Sequence, residues 1–459
     1  TCLKHINSQC SERIDYLSEE CQTVYGRACR SPGPNISVLE PTSMMPTQLH
    51  PFFLLALFVG TLALVWRRGT AYRAFVGVFL GTLSLIWWGL FSWVPPAVLG
   101  VAMVFEFFAA FHFVRLVNAR LRSPLYRAFL SIPVHWFAAS TLLAFPFAVA
   151  AAFGFESYAF IGAFVLGGFG VFQSLTVDSE VVDLILDRQK REGLLPCPLV
   201  PPPSVENAGR SRSVDESSLL RIVQITDPHL GPFMSPEQLH AVCQRAVDAK
   251  PDLIVVTGDL LTMESHGAVD AVAHAFSPLK AFEGRVFACH GNHDHEDRRT
   301  VREGLERNGI RLLVDEWVRL ETRLGPLDIV GADFHFREAG SRLRALFEGR
   351  PDEGTPRLLL LHHPGQIKYI PEGSADLTLS GHTHGGHVGL LSLGLAWTVV
   401  RGFASMPDHG LWARGRDRLY VHRGTGHYGF PIRLGVPREE SVLRVRLSRM
   451  SANADGLSR

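Results

Sequence analysis

The chain divides into a long apolar part followed by a part in which short apolar and polar stretches alternate. Residues 49–177 are almost continuously apolar and aromatic. Because crossing the hydrocarbon layer of a membrane takes about 20 apolar residues, this part predicts an all-α transmembrane domain of about five helices. The candidate spans are residues 49–66, 74–94, 97–117, 129–153 and 158–177.

Arginine marks two of the loops between these spans. Short loops rich in Lys and Arg stay in the cytoplasm. The arginines after the first and third spans are Arg67, Arg68 and Arg73, and Arg115, Arg120, Arg122 and Arg127; the other two loops carry no Lys or Arg. Five spans then predict a multi-pass cell-membrane protein with its N-terminus outside and its C-terminal domain in the cytoplasm. One miscounted span would reverse this orientation.

Three ionisable residues fall within the predicted spans. Glu106 and His112 lie in the third span and His135 lies in the fourth. Ionisable groups at membrane depth are costly and often functional, so a path for protons or ions is one interpretation. Hydrogen bonding between helices of a membrane anchor is the other, and we favour it because Glu106 and His112, six residues apart, do not share one helix face closely.

A connecting segment over residues 178–218 is expected between the two parts. Residues 178–192 carry Val181, Val182, Ile185 and Leu186 at helical spacing, which predicts an amphipathic surface helix. Residues 194–218 are rich in proline and then polar, which is typical of a linker.

Residues 219–448 alternate short apolar runs with helical periodicity, which predicts an α/β domain whose strands are flanked by helices. The predicted strands are 219–226, 252–257, 285–289, 311–314, 327–330, 357–361, 375–379, 418–421 and 441–447. The predicted helices begin at Ser235-Pro236 and otherwise cover 267–282, 297–308 and 338–347. Residues 449–459 are expected to form a disordered tail.

Composition adds two constraints. The net charge of +1 over 459 residues, with no basic stripe, gives no support for nucleic acid as a partner. The cysteines outside the first 29 residues are scattered, so a zinc site built on thiolates is disfavoured. We expect residues 1–48 to be a disordered or spurious extension because they lack apolar periodicity; the alternative is that their four cysteines form two disulfides.

Five polar clusters each directly follow a predicted strand. They are Asp227-Pro228-His229, Gly258-Asp259, Gly291-Asn292-His293-Asp294, His362-His363 and Gly381-His382-Thr383-His384. Open α/β sheets place their sites at the carboxyl ends of strands, so these side chains are expected to meet. Carboxylate, amide and imidazole without thiolate suit Mn²⁺, Fe or Zn²⁺ in a catalytic site. Since the ligands are too many for one tetrahedral ion, a pair of metal ions sharing an aspartate, as used for displacement at phosphorus, fits better.

In this order, the clusters resemble the complete motif set of the calcineurin-like metallophosphoesterase superfamily over about residues 219–447. Gly385-Gly386, Arg423-Gly424-Thr425-Gly426 and Phe430-Pro431-Ile432-Arg433 further resemble the bacterial membrane-associated branch typified by YkuE and YaeI. The resemblance implies an α/β fold with two mixed β-sheets sandwiched by helices. It also implies a metal-dependent phosphoesterase, a hydrolase that cleaves a phosphodiester or pyrophosphate bond by a metal-activated hydroxide.

The resemblance also implies which residues hold two divalent metal ions, with Mn²⁺ preferred and Fe or Zn²⁺ as alternatives. One ion would be held by Asp227, His229, Asp259 and His384, and the other by Asp259, Asn292, His362 and His382. His293 would be a catalytic residue that contacts the phosphate and assists the leaving oxygen, with Asp294 orienting it or capping the next helix. His362 is preferred to His363 because it ends its strand, and His387 stands where the branch is expected to carry glutamine. For His290, His295 and His335, an ordinary hydrogen-bonded role is favoured.

The expected partners are the membrane and a phosphorylated substrate. The apolar loop 388–397, which continues to Phe403, directly follows the last cluster and suggests that the substrate is lipid-linked. The alternative is that this loop is simply core. A competing function from another class is a membrane sensor or transporter in which the phosphoesterase fold is a ligand-binding regulatory module.

Overall fold

A computed structural model describes residues 46–155, 158–186, 189–197, 216–350, 354–404 and 406–447. The predicted extension up to residue 45, most of the predicted linker and the predicted tail lie outside the described residues.

The apolar part folds into helices with most of their apolar side chains on the outside. The helices are α1 (Pro46–Leu64), α2 (Thr70–Leu90), α3 (Pro96–Leu116), α4 (Ile132–Leu143), α5 (Phe145–Ala152) and α6 (Phe160–Leu175). Leu85, Phe129 and Val165 are 72%, 78% and 69% exposed. An outer surface of this kind is unfavourable in water and suits a lipid environment.

The number of spans is lower than the five predicted. His50–Arg68, Thr70–Leu90 and Pro96–Leu116 are each long and apolar enough to cross a membrane. Pro124–Leu143 and Phe145–Ala152 would add a fourth span if the two, bent by 46°, are counted as one. The described residues therefore hold three such spans, or four. The fifth candidate was overestimated because its helix ends at Leu175 after 16 residues and the chain continues as a strand.

Two of the ionisable residues in this part have hydrogen-bond partners. His112 Nδ1 lies 3.4 Å from the Tyr126 hydroxyl, and His135 Nδ1 lies 2.7 Å from the Ser131 carbonyl oxygen. The carboxylate of Glu106 is buried without a hydrogen-bond partner among the described residues. The contact of His112 with Tyr126 joins two helical segments, as the hydrogen-bonding interpretation expects, whereas that of His135 lies within one helical stretch.

The remainder of the described chain forms strands and helices in alternation. The strands are β1 (Val177–Leu186), β2 (Arg191–Pro196), β3 (Leu220–Ile225), β4 (Leu253–Val256), β5 (Val286–Ala288), β6 (Arg311–Leu312), β7 (Glu316–Thr322), β8 (Gly325–Gly331), β9 (Arg357–Leu360), β10 (Leu377–Ser380), β11 (Gly410–Gly415), β12 (Asp417–Val421) and β13 (Arg438–Leu447). The helices are α7 (Pro236–Asp248), α8 (Val269–Phe276), α9 (Arg298–Glu306), α10 (Ala339–Phe347) and α11 (Val399–Phe403).

The strands form two mixed sheets, which confirms the predicted fold class. One sheet has the order β1-β13-β3-β4-β5-β6 and the other β2-β11-β12-β10-β9-β8-β7. Leucines from both sheets, such as Leu253 and Leu358, share one buried apolar cluster. Helices α7, α8 and α9 cover the outer face of the first sheet, and α10 packs on the second. The apolar runs are thus buried on both faces, as in other helix-flanked sheets.

The prediction of an amphipathic helix over residues 178–192 is wrong. β1 pairs in parallel with β13, and β2 pairs antiparallel with β11. Val182, Leu184 and Leu186 are buried while Val181 is 58% exposed, so burial alternates with the period of a strand. The physical reason is that backbone hydrogen bonds to β13, together with burial of every second side chain, outweigh a weak helical spacing.

Polar contacts join the apolar helices to the sheets. Arg127, just before α4, donates from Nε to the carbonyl oxygen of Pro232 at 3.0 Å. At the end of α6, Gln173 donates to Ser392 at 2.8 Å, and Ser174 accepts from the backbone nitrogen of Arg433 at 2.8 Å. The helices therefore pack directly on the α/β part.

The strand assignment of β1 can be tested by two truncations. Leu184→Ala should lower the free energy of unfolding by about 2–5 kcal/mol because it empties a fully buried position. Val181→Ala should cost less than about 1 kcal/mol because its side chain is largely exposed. Denaturant unfolding of the purified chain measures both. The reverse ranking, which a helix with Val181 on its buried side requires, would contradict the strand.

Candidate metal centre

The seven residues predicted as metal ligands all directly follow parallel strands of the two sheets. Asp227 and His229 follow β3, Asp259 follows β4, Asn292 follows β5, His362 follows β9, and His382 and His384 follow β10. Six of them form two groups that could each hold a metal ion: Asp227, His229 and His384, and Asp259, His362 and His382. Within each group the donor atoms lie within 4.8 Å of one another.

Asp259 belongs to the second group and also lies close to the first. Its Oδ2 atom is 3.5 Å from His229 Nε2 in the first group and 3.3 Å from His362 Nε2 in the second. This is the position that a carboxylate shared by two ions must occupy.

The spacing of the donor atoms fits ions of this kind. His229 Nε2 and His384 Nε2 are 3.2 Å apart, and His362 Nε2 and His382 Nδ1 are 3.3 Å apart. Two nitrogens each bound about 2.1 Å from one ion would be separated by about 3–3.5 Å. The Oδ1 atom of Asn292 is buried with no hydrogen-bond partner among the described residues. A buried acceptor without a partner is costly, and a cation would satisfy it.

Two imidazoles are oriented as metal ligands usually are. His229 Nδ1 lies 3.0 Å from the Leu261 carbonyl oxygen, and His362 Nδ1 lies 2.8 Å from that of Thr257. When Nδ1–H donates to a carbonyl, the lone pair is left on Nε2 and points at the metal position. The ring of His384 is held differently, since Arg433 Nη2 is 3.0 Å from its Nδ1.

The backbone at this centre is strained. Nine non-glycine residues in the described chain have positive φ, and five of them are predicted ligands: Asp227, His229, Asp259, His382 and His384. Such conformations cost about 1–3 kcal/mol each and tend to collect at functional sites. The strain therefore marks this centre independently of the motifs.

Burial dominates the electrostatics of the first group. It lowers the pKa of His229 to about 3 and that of His384 well below its usual value. It raises the pKa of Asp227 to about 6. In the second group burial also lowers the pKa of His382, whereas Asp259 beside His362 outweighs burial and raises the pKa of His362 to about 10. Three of the four imidazoles are thus neutral at pH 7, the state that metal binding requires.

Asp294 has a role different from the two expected. Its carboxylate accepts hydrogen bonds from the backbone nitrogens of Asp259, Leu260 and Gly291, each at 2.8 Å. It therefore fastens the loop after β4 to the loop after β5. The N-terminus of α9 is capped instead by Asp297, which accepts from the Thr300 nitrogen at 3.2 Å.

His293 lies beside the two groups. Its backbone nitrogen donates to Asp259 Oδ1 at 2.9 Å, and its Nδ1 lies 2.9 Å from Glu296 Oε1. Its side chain is 29% exposed. Burial opposes protonation of the ring, but the hydrogen bond to Glu296 and the nearby carboxylates outweigh it, so the pKa of His293 is raised. Among the residues that the structure describes, its Nε2 has no hydrogen-bond partner and is available to a ligand.

The neighbouring histidines take other roles. His363 accepts a hydrogen bond from the Gly365 nitrogen and is in neither group. His387 Nε2 lies 2.7 Å from the Tyr428 carbonyl oxygen. His290 and His295 both lie 2.9 Å from Asp333, and His335 lies 2.9 Å from Asp315.

Sequence reasoning missed two residues of the centre and left a third without a role. Glu296 holds His293, and the Tyr428 ring packs against the rings of His229 and His293 at 4.9 and 5.0 Å. The third is Arg433, which belongs to a sequence motif that gives it no role. Glu296 could have been found from its spacing of three residues from His293 at the start of a helical turn, but no local signal marks Tyr428.

An α/β sandwich that collects carboxylate and imidazole ligands at its strand ends defines a class of metal-binding phosphoesterase folds. A family model for the calcineurin-like phosphoesterases matches residues 220–386. YkoQ of Bacillus subtilis, an uncharacterised metallophosphoesterase, is 30% identical over 230 residues, which are 47% of this chain and 80% of YkoQ. The chain belongs to the calcineurin-like phosphoesterase family.

Other relatives extend the comparison. The phosphodiesterase YaeI of Escherichia coli is 28% identical over 238 residues, covering 50% of this chain and 84% of YaeI. An uncharacterised metallophosphoesterase of Helicobacter pylori is 28% identical over 234 residues, covering 49% of this chain. The match spans only 60% of the length of that relative. The match to YaeI agrees with the branch that the sequence motifs indicated.

Gly258 allows the loop after β4 to lie close to the loop after β5, and this contact can be tested. Its φ is +89°, and a Cβ there would collide with the backbone of Gly291. Gly284 has a similar φ of +81° but open space around it. Gly284→Ala should therefore cost only the roughly 1–2 kcal/mol of the left-handed conformation, whereas Gly258→Ala should cost at least about 3 kcal/mol. Thermal unfolding compares the two, and equal losses would contradict the backbone contact.

Proposed function

We propose that this chain is a membrane-tethered, metal-dependent phosphoesterase that hydrolyses a phosphodiester or pyrophosphate bond. The observation that carries the proposal is the pair of donor groups on either side of Asp259. A complete set of carboxylate, amide and imidazole ligands is what a two-metal site for displacement at phosphorus needs.

The proposed ligands follow the geometry of the two groups. One divalent ion would be held by Asp227, His229, Asp259 and His384, and the other by Asp259, Asn292, His362 and His382. Nitrogen and oxygen donors without thiolate suit Mn²⁺, Fe or Zn²⁺, and we propose Mn²⁺ first. When bound, two such ions would activate water and neutralise the phosphoryl oxygens.

The protein's own groups would position and protonate the substrate. Glu296 holds Nδ1 of His293 at 2.9 Å and favours the protonated ring. The Nε2–H of His293 can then donate to a phosphate oxygen and supply a proton to the leaving oxygen. The three backbone hydrogen bonds of Asp294 hold Asp259 and His293 at fixed positions relative to each other during the proton transfer.

We further propose that the protein is a multi-pass membrane protein with this centre in the cytoplasm. The arginine-rich loop between α3 and α4 contacts the α/β part, since Arg127 donates to Pro232 and Arg122 Nε lies 4.0 Å from Glu264 Oε1. The centre is thus on the same side of the membrane as that loop. Because arginine-rich loops stay in the cytoplasm, these contacts support a cytoplasmic centre.

A lipid-linked substrate is the finer proposal. Leu393, Leu395 and Phe403 are 74%, 55% and 84% exposed, so the loop after the last ligand is not core. The hydrogen bond between Gln173 and Ser392 places this loop beside the end of α6. An exposed apolar loop next to a membrane helix suits the lipid interface. Equal turnover of long-chain and short-chain pyrophosphates would contradict this proposal.

Two substitutions separate the proposed metal and proton roles. In a screen with Mn²⁺ against phosphomonoesters, phosphodiesters and pyrophosphates, Asp259→Asn should lower kcat/KM at least about a hundredfold and lower the bound metal, because both ions lose a shared anionic ligand. His293→Ala should keep the metal but lower kcat by about 10²–10⁴-fold. His274→Ala, at an exposed position away from the centre, is the control. Undiminished activity of Asp259→Asn would falsify the catalytic proposal.

The orientation can be tested with reporter proteins that work on only one side of the membrane. A cytoplasmic reporter fused after Arg459 should be active, because the arginine-rich loops and the centre share one side. The same reporter fused after Pro95, in a loop without Lys or Arg, should be inactive. Activity of a periplasmic reporter at Arg459 would overturn the cytoplasmic assignment.

A further inference from the structure

A cavity of about 700 Å³ lies between the apolar helices and the metal centre. One part of its lining comes from the helices and is mostly apolar, with Phe75, Phe79, Phe113, Val134 and Ala138 accompanied by His112 and His135. Another part is polar and comes from the α/β domain: His293, Glu296 and Tyr428. Pockets of this volume accept whole small ligands. The lining therefore suits a molecule that is apolar along most of its length and polar at one end.

The polar part of the lining belongs to the proposed catalytic centre. His293 donates from its backbone to Asp259 at 2.9 Å, and the Tyr428 ring stacks on His229 at 4.9 Å. The cavity therefore opens directly beside the residues that would hold the metals. Arg68 and Thr70 also line it and add a cation and a hydroxyl, both suited to phosphate oxygens.

The apolar part of the lining belongs to helices long enough to span a membrane. Ala71, Phe75 and Phe79 repeat every four residues and so share one face of α2. The rings of Phe75 and Phe79 lie 5.9 and 5.4 Å from the ring of Phe113 on α3. Phe75 is 52% exposed, so this wall is continuous with the outer surface of the helices. A hydrocarbon chain could pass from that surface into the cavity without crossing water.

We propose that this cavity holds the hydrocarbon chain of a lipid phosphate whose phosphate lies at His293. The proposal rests on the proposed function, and it places the lipid chain between α2, α3 and α4 rather than on the exposed loop 388–403. The occupant is a single-chain or polyprenyl-type phosphate ester or pyrophosphate, because apolar side chains of the helices line one part of the cavity and His293 lines another.

Binding can be measured apart from catalysis with alkyl phosphonates, which have no ester bond to hydrolyse. With full-length protein in nanodiscs and Mn²⁺, calorimetry would compare ethyl, octyl and dodecyl phosphonate. Each added methylene that enters the cavity should tighten binding by up to roughly fourfold. Binding that does not depend on chain length would overturn the proposal.

Two variants one turn apart on α2 test the location. Ala71→Trp should fill the cavity and remove most of the gain from the dodecyl chain, a loss of roughly tenfold or more. Ala74→Trp, at an exposed position outside the lining, should leave the tighter binding of dodecyl phosphonate unchanged. Phe79→Ala, which adds no bulk, should weaken the binding of dodecyl phosphonate by roughly threefold or more. An unchanged gain in Ala71→Trp and Phe79→Ala, or an equal loss in Ala74→Trp, would overturn the cavity assignment.

Failure of the cavity proposal can be distinguished from failure of the proposed function. Suppose that binding depends on the length of the alkyl chain and Ala71→Trp removes this dependence, but the protein hydrolyses no phosphoester. This result would refute the proposed enzymatic function and support the cavity proposal. Hydrolysis of bis(p-nitrophenyl) phosphate by a protein that binds ethyl and dodecyl phosphonate equally would refute the cavity and keep the enzyme.

Discussion

The buried carboxylate of Asp259 is the group on which the arrangement of the centre depends. It lies 3.5 Å from His229 and 3.3 Å from His362, one in each group of donors. Its position is fixed from three sides, by the left-handed backbone that Gly258 begins, by Asp294 at its backbone nitrogen, and by the His293 nitrogen at its Oδ1. An anion held so far from water must be compensated by positive charge. Positive charge beside Asp259 can come from the protonated ring of His362, which lies 3.3 Å away, or from a bound metal ion.

The candidate ligands could be chosen from the sequence because each of them lies in a short polar cluster directly after a strand. A strand end is a local feature, and the parallel strands of both sheets bring these ends together whatever the detailed topology. Asp294 was harder to interpret. Its three partners are backbone nitrogens, and these are present whatever the residue types in the sequence. Its role in joining the loops after β4 and β5 could therefore be recognised only from the structure.

The fold was predicted least well where pairing is distant in sequence. Residues 178–192 contain apolar positions compatible with either a helix or a strand, and the partner that decides between them, β13, lies more than 250 residues further along the chain. The same strand shortens the last apolar helix, because residues from Val177 onward are used for pairing. Pairing with β13 therefore contributes to both the error in the surface helix and the overestimated length of the last span, whereas the bend of 46° after Leu143 affects the span before it.

The contact between α6 and the candidate metal centre shows that the apolar helices are in structural contact with the centre. Arg433 bonds Ser174 at the end of α6 through its backbone nitrogen, while its side chain donates to the His384 carbonyl oxygen at 2.9 Å. A Cβ at Gly170 would collide with Ile432, so α6 is in close contact with the loop that carries Ile432 and Arg433. Arg433 thus connects the apolar helix α6 to the candidate metal ligand His384 through two hydrogen bonds. Displacing α6 would move the backbone of Arg433 and, through its side chain, the loop that carries His384.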